Sequence, residues 1–244
     1  MKIENNHIYN MDCIEGMKNI PDKSIDCIIC DLPYGTTKCK WDNIIPFDDL
    51  WAEYKRIIKD NGAILLFGTE PFSSSVRMSN LKWYRYDWYW HKSMCSNFLN
   101  GKKQPFFKVE TVSVFYKKSP VYNPQMEEGK PYAARNDTIT GTQQQYGLVA
   151  HIAPQNFGTR YPDNFIEFSN GNNHNIHPTQ KPVALIEYLI KTYTNENDVI
   201  LDNCMGSGTT AIACINTNRQ YIGFELEKEY YDLCIDRINK LKED

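Results

Sequence analysis

The chain has 244 residues, 41% of them hydrophobic, with 27 Lys and Arg against 30 Asp and Glu for a formal net charge of −3. That length can bury a full core as one domain with an insertion or small lobe, and no apolar run approaches the roughly 20 residues that cross a bilayer. The first residues, Met1-Lys2-Ile3-Glu4-Asn5-Asn6, lack a signal-like apolar stretch, so a soluble, cytoplasmic protein without a membrane partner is expected.

Periodicity predicts strands near residues 7–12 and 26–30, then a helix near 47–59. Strands follow near 63–67, 84–90 and 110–116. The run Trp83-Tyr84-Arg85-Tyr86-Asp87-Trp88-Tyr89-Trp90 alternates enough to be a strand with one ring-lined face, its rings mostly core. Residues 120–176 are rich in Asn, Gln, Gly, Pro and Tyr and hold no sustained period, as an inserted irregular segment would. Beyond them come a helix near 183–193, a strand near 198–202, a helix near 209–217, a strand near 220–225 and a helix near 227–241. Strands alternating with helices point to an α/β fold. Eight cysteines are scattered, and the one C-x-x-C, Cys27 with Cys30, sits inside an apolar strand pattern and reads as packing. His174 and His177 share a loop without further ligands, so no metal site is expected.

Two strand ends carry chemistry. Asp31-Leu32-Pro33-Tyr34-Gly35 closes the run Cys27-Ile28-Ile29-Cys30. Pro33 fixes its own φ and biases Leu32 away from helix, giving the Leu32 carbonyl a defined direction beside the Asp31 carboxylate. Two acceptors then converge on one donor group while Tyr34 covers a π face, which suits a base bearing an exocyclic amine. A plain strand followed by a Pro-Tyr turn is the alternative for this motif taken alone. The second segment, Asp202-Asn203-Cys204-Met205-Gly206-Ser207-Gly208-Thr209-Thr210, reads as strand end, glycine turn and helix start, and the next strand ends in Glu225. Glycines let main chain approach a ligand, and an acid at the tip of the next strand is placed to accept from ribose hydroxyls. Neither G-x-G-x-x-G nor G-x-x-x-x-G-K-[ST] occurs, which leaves a cofactor with a ribose, an adenine and a positively charged or zwitterionic tail.

These segments resemble the amino-methyltransferases of DNA that use S-adenosylmethionine. Asp31-Leu32-Pro33-Tyr34 matches their Asp/Asn/Ser-Pro-Pro-Tyr/Phe/Trp catalytic motif, with Leu32 in place of the first proline. Asp202 to Gly208 matches D-x-F-x-G-x-G, with Cys204 in place of phenylalanine. His177-Pro178-Thr179-Gln180-Lys181-Pro182 looks like the H-P-T-x-K-P segment, and the catalytic motif precedes the cofactor loop as in the β class. Asp12, after Ile8-Tyr9-Asn10-Met11, and the stretch from Trp90-His91-Lys92 through Phe115-Tyr116-Lys117 extend the likeness over most of the chain outside residues 120–176.

The resemblance implies a Rossmann-like methyltransferase fold, a mixed central sheet with helices on both faces and permuted motif order, plus a small target-recognition insertion. Residues 1–119 form the catalytic half, 120–176 the insertion, and 177–244 the cofactor-binding half of the same domain. Asp31, Leu32, Pro33 and Tyr34 are the expected catalytic residues. Asp12, Asp31, Thr179, Lys181, Asp202, Cys204, Gly206, Ser207, Gly208, Thr209 and Glu225 are expected to hold S-adenosylmethionine. The expected reaction is direct in-line transfer to a flipped base, with adenine favoured over cytosine because the motif begins with Asp. Cytosine-N4 transfer and a non-catalytic DNA- or cofactor-binding relative stand as alternatives. A covalent cysteine route is unsupported, since none of the 12 prolines precedes a cysteine.

Double-stranded DNA is the expected partner despite the acidic total. Residues 77–135 carry 11 Lys and Arg against 4 Asp and Glu, so basic charge is concentrated in the middle of the chain. Lys92, Lys102, Lys103, Lys108, Lys117 and Lys118 are expected to face phosphates. Arg135, Asn136, Gln143, Gln144, Gln145 and Arg160 are candidates for reading base edges, an ordinary polar loop being the other possibility. Lys92, Lys102, Lys103, Arg135 and Arg160 form the expected DNA-binding set. The resemblance also leaves room for a homodimer and for a partner restriction endonuclease.

Overall fold

The computed structural model describes residues 2–37, 39, 42–95, 97–137, 151–153, 155–170 and 180–243. They fall into two compact units, residues 1–123 with 164–244, and residues 124–163.

The larger unit is built on an eight-stranded sheet in the order β1-β12-β11-β2-β3-β5-β4-β10. Its strands are β1 (His7–Asn10), β2 (Ile25–Cys30), β3 (Ile58–Gly68), β4 (Tyr84–Lys92), β5 (Val109–Phe115), β10 (Phe165–Phe168), β11 (Val199–Asp202) and β12 (Gln220–Glu225). Neighbours run parallel except at β5, which is antiparallel to both β3 and β4. The expected mixed sheet is therefore present. The permuted order is explained by β11 pairing directly with β2, so that the two sequence-distant motifs end side by side.

Central strands buried on both faces need continuous apolar runs, and β2 and β3 supply them. Cys27, Ile29, Ala63, Leu65 and Phe67 pack into one core layer, while Ile28, Cys30, Ile64 and Leu66 pack into the other. The first layer is completed by α4 (Val183–Tyr193), α5 (Thr209–Asn216) and α6 (Lys228–Glu243), through Leu185, Leu189, Ile212 and Cys234 among others. The second is completed by α1 (Cys13–Met17), α2 (Phe47–Ile57) and α3 (Phe72–Ser79). In α2 the sequence shows why: Leu50, Trp51, Tyr54 and Ile57 recur at helical spacing and are buried, with Asp48 and Asp49 in the first turn and Lys55 and Arg56 in the last to complement the helix dipole.

All seven strands and four helices expected from periodicity are found, with ends shifted by a few residues. The helix expected to reach residue 59 stops at Ile57, because Ile58 turns extended and pairs with Ile25. The short helices α1 and α3 and the edge strand β10 were not expected. The five residues of α1 are too few to build a periodic signal, α3 buries only Phe72 and Val76 among its hydrophobic residues, and β10 lies inside the polar stretch of residues 120–176 yet pairs with β4.

The smaller unit holds two short antiparallel pairs. One joins β6 (Glu127–Glu128) to β9 (Thr159–Arg160), the other β7 (Arg135–Asp137) to β8 (His151–Ala153). This unit is narrower than the segment that composition set apart.

Candidate active site

In open α/β sheets, ligands sit beyond the carboxyl ends of the strands where the strand order reverses. Here the chain leaves β2 toward β3 and leaves β11 toward β12, so the reversal lies between β2 and β11. A cavity of about 650 Å³ opens there. Its lining joins Asp31 to Tyr34 after β2, Asp202 to Ser207 after β11, Glu225 at the end of β12, Asp12 after β1, and Lys92 at the end of β4. Because β5 runs backwards, Glu110 near its start reaches the same rim.

Asp31 stands in a chain of charges. Its Oδ2 accepts from Lys181 Nζ at 2.5 Å and its Oδ1 from the Tyr34 hydroxyl at 2.6 Å. Lys181 also lies 3.0 Å from Glu110 Oε1, and Glu110 Oε2 lies 3.3 Å from Lys92 Nζ. Burial raises the Asp31 carboxyl above its ordinary range, the Lys181 ammonium pulls it back, and the Glu110 charge raises it again. Burial also pushes Glu110 up, but the two lysines outweigh it and its carboxyl is held below the usual range. Tyr34 stacks on Phe72 with ring centroids 4.7 Å apart, and its hydroxyl is 3.2 Å from Glu110 as well. The turn beyond it is gathered by Asp42, which accepts from the backbone N–H groups of Gly35, Thr36 and Thr37 at 2.6–2.9 Å.

The loop after β11 is held by neutral donors instead. Asp202 accepts from Cys204 N at 3.1 Å and from the Thr210 hydroxyl at 2.5 Å, and burial lifts its carboxyl to about 6. Glu225 accepts from Gly206 N at 2.7 Å and Glu227 N at 2.9 Å, and burial raises it too. Gly206 and Gly208 have φ of +54° and +83°, the left-handed region that glycine enters without a Cβ penalty. Gly208 stands behind the loop, where a Cβ would lie 2.3 Å from Cys234 Sγ. Asn203 ties the loop to the opposite core layer, accepting from the Tyr54 hydroxyl at 2.5 Å, and its amide nitrogen lies 3.6 Å from both Cys13 Sγ and Cys204 Sγ. Two buried atoms on the cavity lining, Thr209 Oγ1 and Gln180 Oε1, have no hydrogen-bond partner among the described residues. They are the groups a polar guest would satisfy.

The cavity thus brings together Asp31, Leu32, Pro33, Tyr34, Asp12, Lys181, Asp202, Cys204, Gly206, Ser207, Thr209 and Glu225. Asp12 also caps α1 by accepting from Glu15 N at 3.1 Å. Lys181, expected to contact the cofactor, lines the cavity and donates to Asp31. Lys92, expected to face phosphates, is 5% exposed and pairs with Glu110; a basic residue in a basic stretch gave no sign of its burial. Lys117 and Lys118 lie 3.1 and 3.3 Å from the Asp60 carboxylate, and all five of Lys102, Lys103, Lys108, Lys117 and Lys118 are exposed. Within the smaller unit, Arg160 stacks over Tyr132 at 4.9 Å and donates to Asn156 Oδ1 at 2.7 Å. Thr179, His174, His177, Gln143, Gln144, Gln145 and the side chains of Arg135 and Asn136 lie outside the described residues. The sequence singled out neither Glu110 nor Asp42 nor Asn203; Glu110 lay within the stretch of family likeness from Trp90 through Lys117 and counted only as one acid in a basic region. No helix among the described residues is long and apolar enough to cross a membrane.

Comparison with known proteins places this geometry among enzymes. A family model described as DNA methylase, for N6 and N4 methyltransferases, matches residues 25–236. The chain is similar to the Type II methyltransferase M.HpaI of Haemophilus parainfluenzae, 29% identical over 93% of this chain and 72% of that protein. It is also 25% identical to the Type II methyltransferase M1.MboII of Moraxella bovis, over 98% of this chain and 99% of the relative. Among solved structures, the M1.HpyAVI–SAM complex superposes with a TM-score of 0.64 at 27% identity, covering 96% of this chain and 98% of the other.

Proposed function

The chain belongs to the DNA methylase family, and on that premise we propose that it transfers a methyl group from S-adenosylmethionine to the exocyclic amine of adenine within a specific DNA sequence. The observation that carries this reading is the Asp31 carboxylate at the strand-order reversal, on one cavity with the glycine loop and with Thr209 and Gln180, whose buried oxygens have no partner among the described residues. The M1.HpyAVI relative was solved with SAM, and the chemistry of this cavity fits that molecule: a volume in the range of small-ligand sites, Glu225 for ribose hydroxyls, and Thr209 and Gln180 with hydrogen-bonding capacity in hand. When bound, the cofactor supplies an electrophilic methyl on a sulfonium.

The chain's own residues do the rest. An exocyclic amine is a poor nucleophile because its lone pair is delocalised into the ring. Asp31 and the Leu32 carbonyl, by accepting both N–H groups, favour a pyramidal nitrogen whose lone pair faces the methyl. Positioning and electrostatic complementarity then provide the acceleration. The amine is inside the duplex, so the base must flip out at a cost of a few kcal/mol and enter beside Tyr34. Lys102 and Lys103 are exposed and suit phosphate contacts, and the unit of residues 124–163, with Arg135 and Arg160, suits target recognition. M.HpaI and M1.MboII are named Type II methyltransferases, which supports a modification role paired with a restriction endonuclease.

The test is transfer of labelled methyl from S-adenosylmethionine to mixed-sequence duplex DNA, followed by nucleoside digestion and mass identification. Adenosine methylated on its amine is the expected product. Methyl on the cytosine amine would keep the mechanism and overturn the base. No incorporation into any DNA, with cofactor binding intact, would favour a non-catalytic relative.

A further inference from the structure

Asp31 is asked to do something its surroundings resist. A carboxylate withdrawn from water tends to take up a proton, and a protonated Asp31 would offer one of its oxygens as a donor where an acceptor is needed. The groups facing it from neighbouring elements make this worse. Glu110 approaches from β5, Asp202 from the end of β11 and Cys30 from its own strand, while the Tyr34 hydroxyl, which donates to Asp31, works in the opposite sense. Lys181, from the segment leading into α4, is the cation in direct contact with it among the described residues.

Lys181 is itself fixed in place. Its side chain is 11% exposed, its Nζ bridges Asp31 and Glu110, and it lies 5.2 Å over the Phe67 ring. Glu110 would be an uncompensated charge next to Asp31 but for Lys92 on its other oxygen. The four groups alternate in sign, Lys92, Glu110, Lys181 and Asp31, and sum to zero. Removing one partner from such a buried set leaves another charge exposed to desolvation.

We propose that Lys181, locked by Glu110, is a positioning residue that keeps the Asp31 carboxylate ionised and turned so that one oxygen can accept the target amine. The proposal rests on the methyl-transfer reading above for its consequence, but its physical content, the charge on Asp31, can be read without any reaction. Lys181 acts through Asp31 and needs no contact with base or cofactor.

An opposite charge at this range typically lowers a carboxyl pKa by about 1 to 3 units, so Lys181→Met should move the acid limb of kcat/KM alkaline by about that amount. Activity should then fall about tenfold for each pH unit below the displaced limb and recover above it. Lys181→Arg should restore the limb, and the affinity for S-adenosylmethionine should change less than about twofold in both variants, since the side chain is held by Asp31 and Glu110. In parallel, the Asp31 carboxyl is titrated by carbon NMR with labelled aspartate, its signal assigned with Asp31→Asn. Its midpoint should rise in Lys181→Met and return in Lys181→Arg. A loss of rate equal at every pH, an unmoved Asp31 midpoint, or a defect confined to cofactor affinity would each overturn the proposal. If wild-type protein methylates no DNA, the functional reading fails, while the NMR titration still decides whether Lys181 governs Asp31.

Discussion

The two strand ends that meet at the cavity hold a carboxylate in different ways. After β2, Asp31 is held by an ammonium group and a chain of alternating charges. After β11, Asp202 and the nearby Glu225 are held by backbone N–H groups and a threonine hydroxyl, with no cation in contact with either among the described residues. Cationic pairing keeps a group charged and reactive in a dry site, whereas neutral donors shape a loop and leave the acid closer to taking up a proton. The difference matches the division of labour proposed for the two motifs, one working on a substrate proton donor and the other shaping a pocket.

The contrast is broken most severely at Asp31. Asp31→Ala should lower methyl transfer by at least about 10²-fold, the scale of removing one preorganised group from a reacting centre, while S-adenosylmethionine affinity stays near that of the wild type; labelled-methyl incorporation and calorimetry read the two effects separately. Equal activity in that variant would remove the role given to this carboxylate.

Asp202 tests the other side through pH. Its folded value of about 6 lies above the ordinary 3.8, so the folded protein binds the extra proton more readily than the unfolded chain. The stability this contributes is complete below pH 3.8 and is lost as pH rises through 6, a change on the order of 3 kcal/mol. Urea unfolding measured between pH 5 and 7.5 should show the last part of this decline, about 1.4 kcal/mol, in the wild type and a flatter profile in Asp202→Asn. A wild-type profile that rises across that interval would contradict the neutral-donor picture.

Smaller effects sharpen the comparison within the loop. Gly208→Ala places a methyl against Cys234 at a positive φ and should destabilise by about 1–3 kcal/mol more than Gly206→Ala, where the nearest neighbour of a Cβ is 4.0 Å away and only the backbone cost of about 1–2 kcal/mol applies. Thermal denaturation of the pair distinguishes crowding from conformation. Smallest of all, Glu225→Gln keeps one acceptor oxygen and should weaken S-adenosylmethionine by about tenfold with kcat little changed, as expected for loss of a charge-assisted hydrogen bond. Equilibrium binding beside single-turnover transfer measures it.

Much of this molecule was legible in its residue order. The apolar runs of β2, β11 and β12 declare buried strands because side-chain alternation and apolar content are local properties, and the Pro-Tyr turn and the glycine loop fix local backbone directions. Order along the chain was enough to recognise the permuted arrangement and to name the parts of the cavity lining that come from the two motif loops. Tertiary structure alone decided which charges meet. Lys181 and Asp31 are 150 residues apart, and only the pairing of β11 with β2 and the reversed direction of β5 bring Lys181, Glu110 and Asp31 to one rim. Nothing in a lysine's own neighbourhood distinguishes Lys92, buried against Glu110, from Lys102, which is exposed. Burial and ion pairing depend on the path of the whole chain, since desolvation is set by everything that packs around a group and not by its neighbours in sequence.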